Sequence, residues 1–173
     1  PDHQFDEKLN VYIAAIIKDE YSGLLDWIAY HRVLGVTGFM IADNGSRDGS
    51  TELLASLARL GIVSTFEQPN LDNQKPQLPA YERILRSCPP EVDLLAFIDA
   101  DEFLLPLTDE LGLTDFLASR FQDESVSALA LNWSNFGSNG ELFAEDGLVT
   151  ERFTKRAPQS FNVHHNFKSV VRP

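Results

Sequence analysis

The most chemically suggestive stretch of this 173-residue sequence is FIDADEF, residues 97–103. Asp99 and Asp101 stand one residue apart, straight after an apolar run, so a tight turn would carry two hard oxygen ligands. Such carboxylates suit Mg²⁺ or Mn²⁺, which take few protein ligands and complete their shell with water and substrate phosphates. An isolated Asp-x-Asp more commonly caps a turn and stays solvated. Here further acids occupy equivalent places: Lys18-Asp19-Glu20 follows the apolar run Val11–Ile17, and Asp43-Asn44 follows residues 39–42. Gathering carboxylates costs free energy unless a cation neutralises them, which favours the metal reading.

The elements that must position these acids can be read from pattern. VYIAAII is a continuous β-branched run, the mark of a strand covered on both faces. Ser22 is the expected N-cap of a helix carrying Leu24, Leu25, Ile28 and Val33, with Gly35 as its stop. Residues 39–42 form a second strand, and DNGSRDG, residues 43–49, is turn chemistry. Leu53, Leu54, Leu57 and Leu60 mark a helix closed by Gly61, and residues 62–66 form a third strand. After Pro69, Pro76 and Pro79, a helix is expected over about residues 80–87. The most hydrophobic and so central strand follows at residues 92–98. A helix over 113–121 and a strand over 126–131 come next, and beyond Trp133 periodicity fades.

This alternation predicts one α/β domain over residues 1–173, with a mostly parallel sheet and helices on both faces. Residues 1 to about 106 read as a nucleotide-binding half, and about 107–173 as a less regular half completing the site. Ligands of such sheets bind outside the carboxyl ends of the strands, where the acids fall.

Composition mainly excludes. Lys and Arg number 14 against 26 Asp and Glu, a net charge of −12, which argues against nucleic acid and anionic membrane partners. At 43% hydrophobic and 23% charged residues the chain is not disordered. The apolar run around residues 94–98 is too short to span a bilayer. Cys88 is the only cysteine, so no internal disulfide forms; with no leader visible before the first strand, a reducing, cytoplasmic location is expected. The chain begins at Pro1 and closes on Lys168 to Pro173, which reads as a strand entering a turn, so the natural protein is expected to continue.

FIDADEF resembles the Asp-x-Asp signature of GT-A-fold glycosyltransferases, which bind a nucleotide-sugar through a divalent metal. IIKDE with WIAYHRVLGV, then FMIADNGSRDGS, resembles the opening of family-2-like glycosyltransferases and their family-92 relatives, and NWSNFGSNG and LVTERF to KSVVRP agree. The resemblance covers about residues 10–173. It implies a GT-A-like fold and transfer of a sugar from a nucleoside-diphosphate donor, UDP-linked, to an acceptor hydroxyl, with inversion and with Mn²⁺ or Mg²⁺. By position, Asp43 matches the nucleoside-contacting acid and Asp99 the first signature aspartate, near ribose or metal. Asp101 matches the principal metal ligand, with Glu102 beside it; Lys18 and Glu20 join the donor-binding set. The usual Asp-Asp-Gly-Ser is here Asp43-Asn44-Gly45-Ser46, and the related families carry a metal-binding histidine beyond the segment matching KSVVRP.

A metal held by Asp101 would stabilise the departing diphosphate as a Lewis acid, and inversion needs a carboxylate base. Glu141, Asp146 and Glu151 are the candidates, each also readable as a solvated loop acid. Residues 151–173 carry +4 and the other 150 carry −16, so a basic segment either helps bind diphosphate or forms a solvated face. Trp133 suits sugar stacking or core packing equally. His31 reads as structural, Cys88 as an inert small hydrophobe, and His164-His165 as strand neighbours, one at the surface and one in the core. Two rivals remain: a non-catalytic carbohydrate- or nucleotide-binding module, and a nucleotidyltransferase. The latter lacks the glycine- and basic-rich loop it would need after strand one.

Overall fold

The computed structural model describes residues 9–69, 75–107, 111–140, 147–158 and 160–173. In chain order these form β1 (Val11–Ile17), α1 (Tyr21–Val33), β2 (Gly38–Asp43), α2 (Ser50–Arg59), β3 (Val63–Glu67) and α3 (Gln77–Arg86). There follow β4 (Leu94–Phe97), α4 (Leu113–Arg120), β5 (Ala128–Asn132), the short α5 (Val149–Arg152), a 3-10 turn at Asn162–His165, and β6 (Phe167–Val171). The six strands make one sheet in the order β3-β2-β1-β4-β6-β5. The first four are mutually parallel, and β6 runs antiparallel to both β4 and β5.

Side-chain alternation along β1 explains the layering. Val11, Ile13, Ala15 and Ile17 enter the larger core cluster with Leu24, Trp27 and Ile28 of α1, Leu54 and Leu57 of α2, and Leu117 of α4. Ala14 points the other way, into a smaller cluster with Met40, Leu95 and Ile84 of α3. Helices therefore cover both faces, and the expected mixed α/β sheet is observed. Chain order moves outward from β1 to β3, then returns to the other side of β1 at β4. That reversal is a topological switch point, and it leaves a crevice at the carboxyl ends of β1 and β4. At the opposite end of the sheet Gly38 pairs with Tyr12, and a Cβ there would lie 2.4 Å from the Tyr12 ring.

Three local expectations need correction. Ser22 lies inside α1, because Asp48 accepts the Tyr21 N–H (2.8 Å) and Ser50 Oγ the Glu20 N–H (3.1 Å). The cap thus comes from the loop before α2, not from the helix's own sequence. The third helix starts at Gln77, with Pro79 in its first turn, where a missing N–H leaves no intrahelical bond unmade. His164 and His165 stand in the 3-10 turn rather than a strand, and neither is in the core: His165 is exposed, while His164 Nε2 accepts the Asn135 N–H at 3.0 Å. Cys88 packs beside the smaller cluster, where burial pushes its thiol up.

Candidate functional site

Immediately after β4 the chain makes a turn closed from both sides. The Glu102 N–H donates to the Asp99 carbonyl at 3.1 Å, and the Asp99 N–H donates to Glu102 Oε2 at 3.1 Å. Within it Ala100 is buried in the larger core cluster while Asp101 is exposed. The small apolar residue between the aspartates anchors the turn, and the second aspartate is presented to solvent at the crevice.

The neighbouring wall is built from two loops stitched together. Asp19 has φ of 58°, a left-handed conformation that aspartate tolerates better than most side chains. Held so, it receives the Arg47 N–H on Oδ1 at 2.7 Å, and its own N–H donates to Ser46 Oγ at 2.9 Å. Asp43, at the end of β2, is buried. Its Oδ1 accepts the Ser46 N–H and hydroxyl at 2.9 and 2.7 Å, and its Oδ2 accepts the Thr51 hydroxyl. Burial alone would raise this carboxyl, but the Thr51, Ser46 and Gly45 hydrogen bonds outweigh it and hold the group below its ordinary range.

The loop acids at the ends of β1 and β4 are brought together electrostatically. Burial raises the Glu20 carboxyl, and the charges of Asp101, Asp48, Asp19 and Asp99 raise it further. Lys18 stands exposed beside them. Facing this acidic edge, Lys168 of β6 reaches Asp99 Oδ2 at 2.6 Å and Glu102 Oε2 at 3.2 Å. Burial still leaves Glu102 above its ordinary value despite that ammonium. Lys168 is the residue by which the basic segment meets the acids; its charge was legible, its partner was not. Among the described residues no three His, Cys, Asp or Glu side chains converge to hold a metal unaided.

Glu151 is exposed on α5 and makes no ion pair or side-chain hydrogen bond among the described residues. Glu141 and Asp146 lie outside the described residues. Trp133 is half-buried and lines an open cleft of about 650 Å³ with Tyr81, Phe97 and Lys168.

A supporting layer lies behind the turn. From α1, Trp27 Nε1 donates to the Glu102 carbonyl (2.7 Å) and the Tyr30 hydroxyl to the Leu104 carbonyl (2.9 Å), while His31 Nε2 accepts the Leu104 N–H (3.2 Å). That acceptor role fixes the tautomer, with Nδ1–H donating to the Trp27 carbonyl at 2.8 Å. Burial lowers the His31 imidazole to about 4, so it is neutral at pH 7. The spacing i, i+3, i+4 put these three side chains on one helix face, but nothing local named the backbone they hold.

The sequence model of glycosyltransferase family 92 matches residues 13–173. A glycosyltransferase family 92 protein of Oryza sativa subsp. japonica is 28% identical over 165 residues, covering 93% of this chain and 26% of the relative. One of Ricinus communis is 30% identical over 176 residues, covering 96% of this chain and 29% of the relative. The chain therefore spans less than a third of the length of these relatives. No described helix is long and apolar enough to cross a membrane.

Proposed function

This chain belongs to glycosyltransferase family 92, and on that premise we propose that it forms the donor-binding part of a metal-dependent glycosyltransferase. The donor is a nucleoside-diphosphate sugar, of the UDP type, and the acceptor a hydroxyl attacked with inversion. The observation that carries this reading is the acidic crevice between β1 and β4, where the charges of Asp101, Asp48, Asp19 and Asp99 all bear on Glu20 and Lys168 is the ammonium paired with Asp99. Carboxylates that outnumber the ammonium groups beside them fit a divalent cation. Mg²⁺ and Mn²⁺ take few carboxylates and draw their remaining ligands from water and diphosphate, which matches what Asp99 and Asp101 offer.

Asp101, with Asp99, would hold that ion. When bound, it supplies positive charge to the departing diphosphate. The chain's own residues do the rest. Asp43 is fixed by Ser46 and Thr51; Oδ1 already accepts both Ser46 bonds, which leaves Oδ2, with the Thr51 hydroxyl on it, as the oxygen with room for a nucleoside donor group. Lys18 and Glu20 flank the donor from β1. Trp133, on its open cleft, offers a face for the acceptor sugar. Glu141, Asp146 and Glu151 are the proposed bases that take the acceptor proton.

Calorimetric titration with UDP tests the reading. Binding is expected with Mn²⁺, is weakened at least tenfold when Mn²⁺ is chelated, and is lost in Asp101→Ala. UDP binding that ignores both Mn²⁺ and Asp101→Ala would overturn it.

A further inference from the structure

The two aspartates of the signature are in different states. Asp99 is already neutralised: Lys168 Nζ lies 2.6 Å from its Oδ2 and 3.2 Å from Glu102 Oε2, with the lysine side chain 17% exposed. The sheet delivers this lysine. Ser169 pairs with Phe97 in the antiparallel β4–β6 ladder, so Lys168 comes level with the start of the turn. The Trp133 ring backs the ammonium, with its centroid 5.6 Å away. Asp101, by contrast, is exposed, and its carboxylate makes no ion pair or hydrogen bond among the described residues. A divalent ion that needs Asp99 must therefore displace an ammonium already shared by two carboxylates, and must do so against that ammonium's own charge.

We propose that Lys168 is a positioning residue that competes with the divalent ion for Asp99, so that metal binding without nucleotide rests on Asp101. This inference rests on the metal-dependent reading above and adds a rule to it: the lysine sets how weakly the empty crevice holds metal. Donor diphosphate, which brings oxygens of its own, then completes the coordination shell in partnership with Asp101.

Mn²⁺ titration without nucleotide, followed by electron paramagnetic resonance, tests it. Lys168→Met keeps the side-chain length and removes the charge; it should tighten Mn²⁺ binding about tenfold or more, since a freed carboxylate is gained and a like charge removed. Lys168→Arg should bind Mn²⁺ as wild type does. Asp99→Asn alone should change Mn²⁺ affinity less than about twofold, yet should abolish the gain when combined with Lys168→Met. Mn²⁺ affinity in Lys168→Met within twofold of wild type, or weaker, overturns the proposal. So does loss of Mn²⁺ binding in Asp99→Asn, a result that stands even if Lys168→Met fails to fold. If Mn²⁺ binds wild type and is lost in Asp101→Ala while Lys168→Met changes nothing, this inference alone falls. If no variant binds Mn²⁺ without nucleotide, this inference falls, while the metal-dependent reading stands or falls on the UDP titration above.

Discussion

The indole N–H of Trp27 donates to the backbone carbonyl of Glu102 across 75 residues, at 2.7 Å. Trp27 is fully buried, so its indole N–H depends on this bond for a partner. It ties the first helix to the turn that carries the acidic signature, and the Tyr30 and His31 contacts to Leu104 extend the tie by two residues.

Trp27→Phe keeps an aromatic ring and removes the donor, taking away the partner of the Glu102 carbonyl. Stability should fall by about 1–3 kcal/mol in urea unfolding. UDP affinity in the presence of Mn²⁺ should fall as well, because the turn loses its backing. Unchanged unfolding midpoints would show that the bond contributes nothing.

His31 gives the fold an acid-side weakness. Its imidazole titrates at about 4 when folded, against an ordinary 6.5, because burial disfavours the cation. Between those values the unfolded chain binds a proton that the folded chain refuses. The stability associated with the neutral ring is complete above 6.5 and is lost as pH falls toward 4, by about 3 kcal/mol. Glu20 and Glu102, whose carboxyls are raised, contribute the opposite slope. Comparing wild type with His31→Gln isolates the histidine: the variant should show a shallower loss of stability between pH 7 and pH 5. Equal slopes would refute the assignment.

Local pattern accounts for β1, β2 and β4, whose unbroken apolar runs are what a doubly covered strand requires, and for helix ends at Gly35 and Gly61. The acids at the ends of β1 and β4 were legible for the same reason, since a strand places the residues that leave it. What pattern does not reach is pairing between distant segments. The amides opening α1 are capped by Asp48 and Ser50, so Ser22 misleads. Lys168 shows in the sequence only as one charge in a basic segment, because its partner is chosen by the insertion of β6 beside β4. Trp27, Tyr30 and His31 read as packing aromatics, and their polar tips become meaningful only against the backbone of residues 102–104.

Asp43 should prove a structural hub whatever else it binds. Asp43→Ala strands the Ser46 and Thr51 hydroxyls and the Ser46 N–H, and should cost about 1–3 kcal/mol near neutral pH. Because the folded carboxyl titrates below its ordinary range, that stabilisation is present above the ordinary carboxylate value. It disappears as pH falls through the lowered one. Chemical unfolding of both proteins at pH 7 and pH 3 should therefore show the gap closing in acid. A gap that stays constant would mean the carboxylate's charge is irrelevant.

The Tyr12 ring lies across Gly38. Substitution of that glycine by alanine would place a Cβ 2.4 Å from the Tyr12 ring and should destabilise the protein by about 1–3 kcal/mol. Adding Tyr12→Ala should remove most of the extra penalty, since no ring is left to meet the methyl. Additive effects of the two changes in a thermal or urea series would show that the clash is not the cause.

The place of β6 has a consequence for how the protein is assembled. Ribosomes deliver β4 and β5 well before the strand that must slip between them, so one side of β4 has no ladder partner until residues 167–171 arrive. Closing that gap joins segments about 70 residues apart, a slow, high-contact-order step that should lag behind the β1–β3 half. The acidic turn therefore spends its early life without its ammonium, and the crevice reaches its resting charge only when β6 docks.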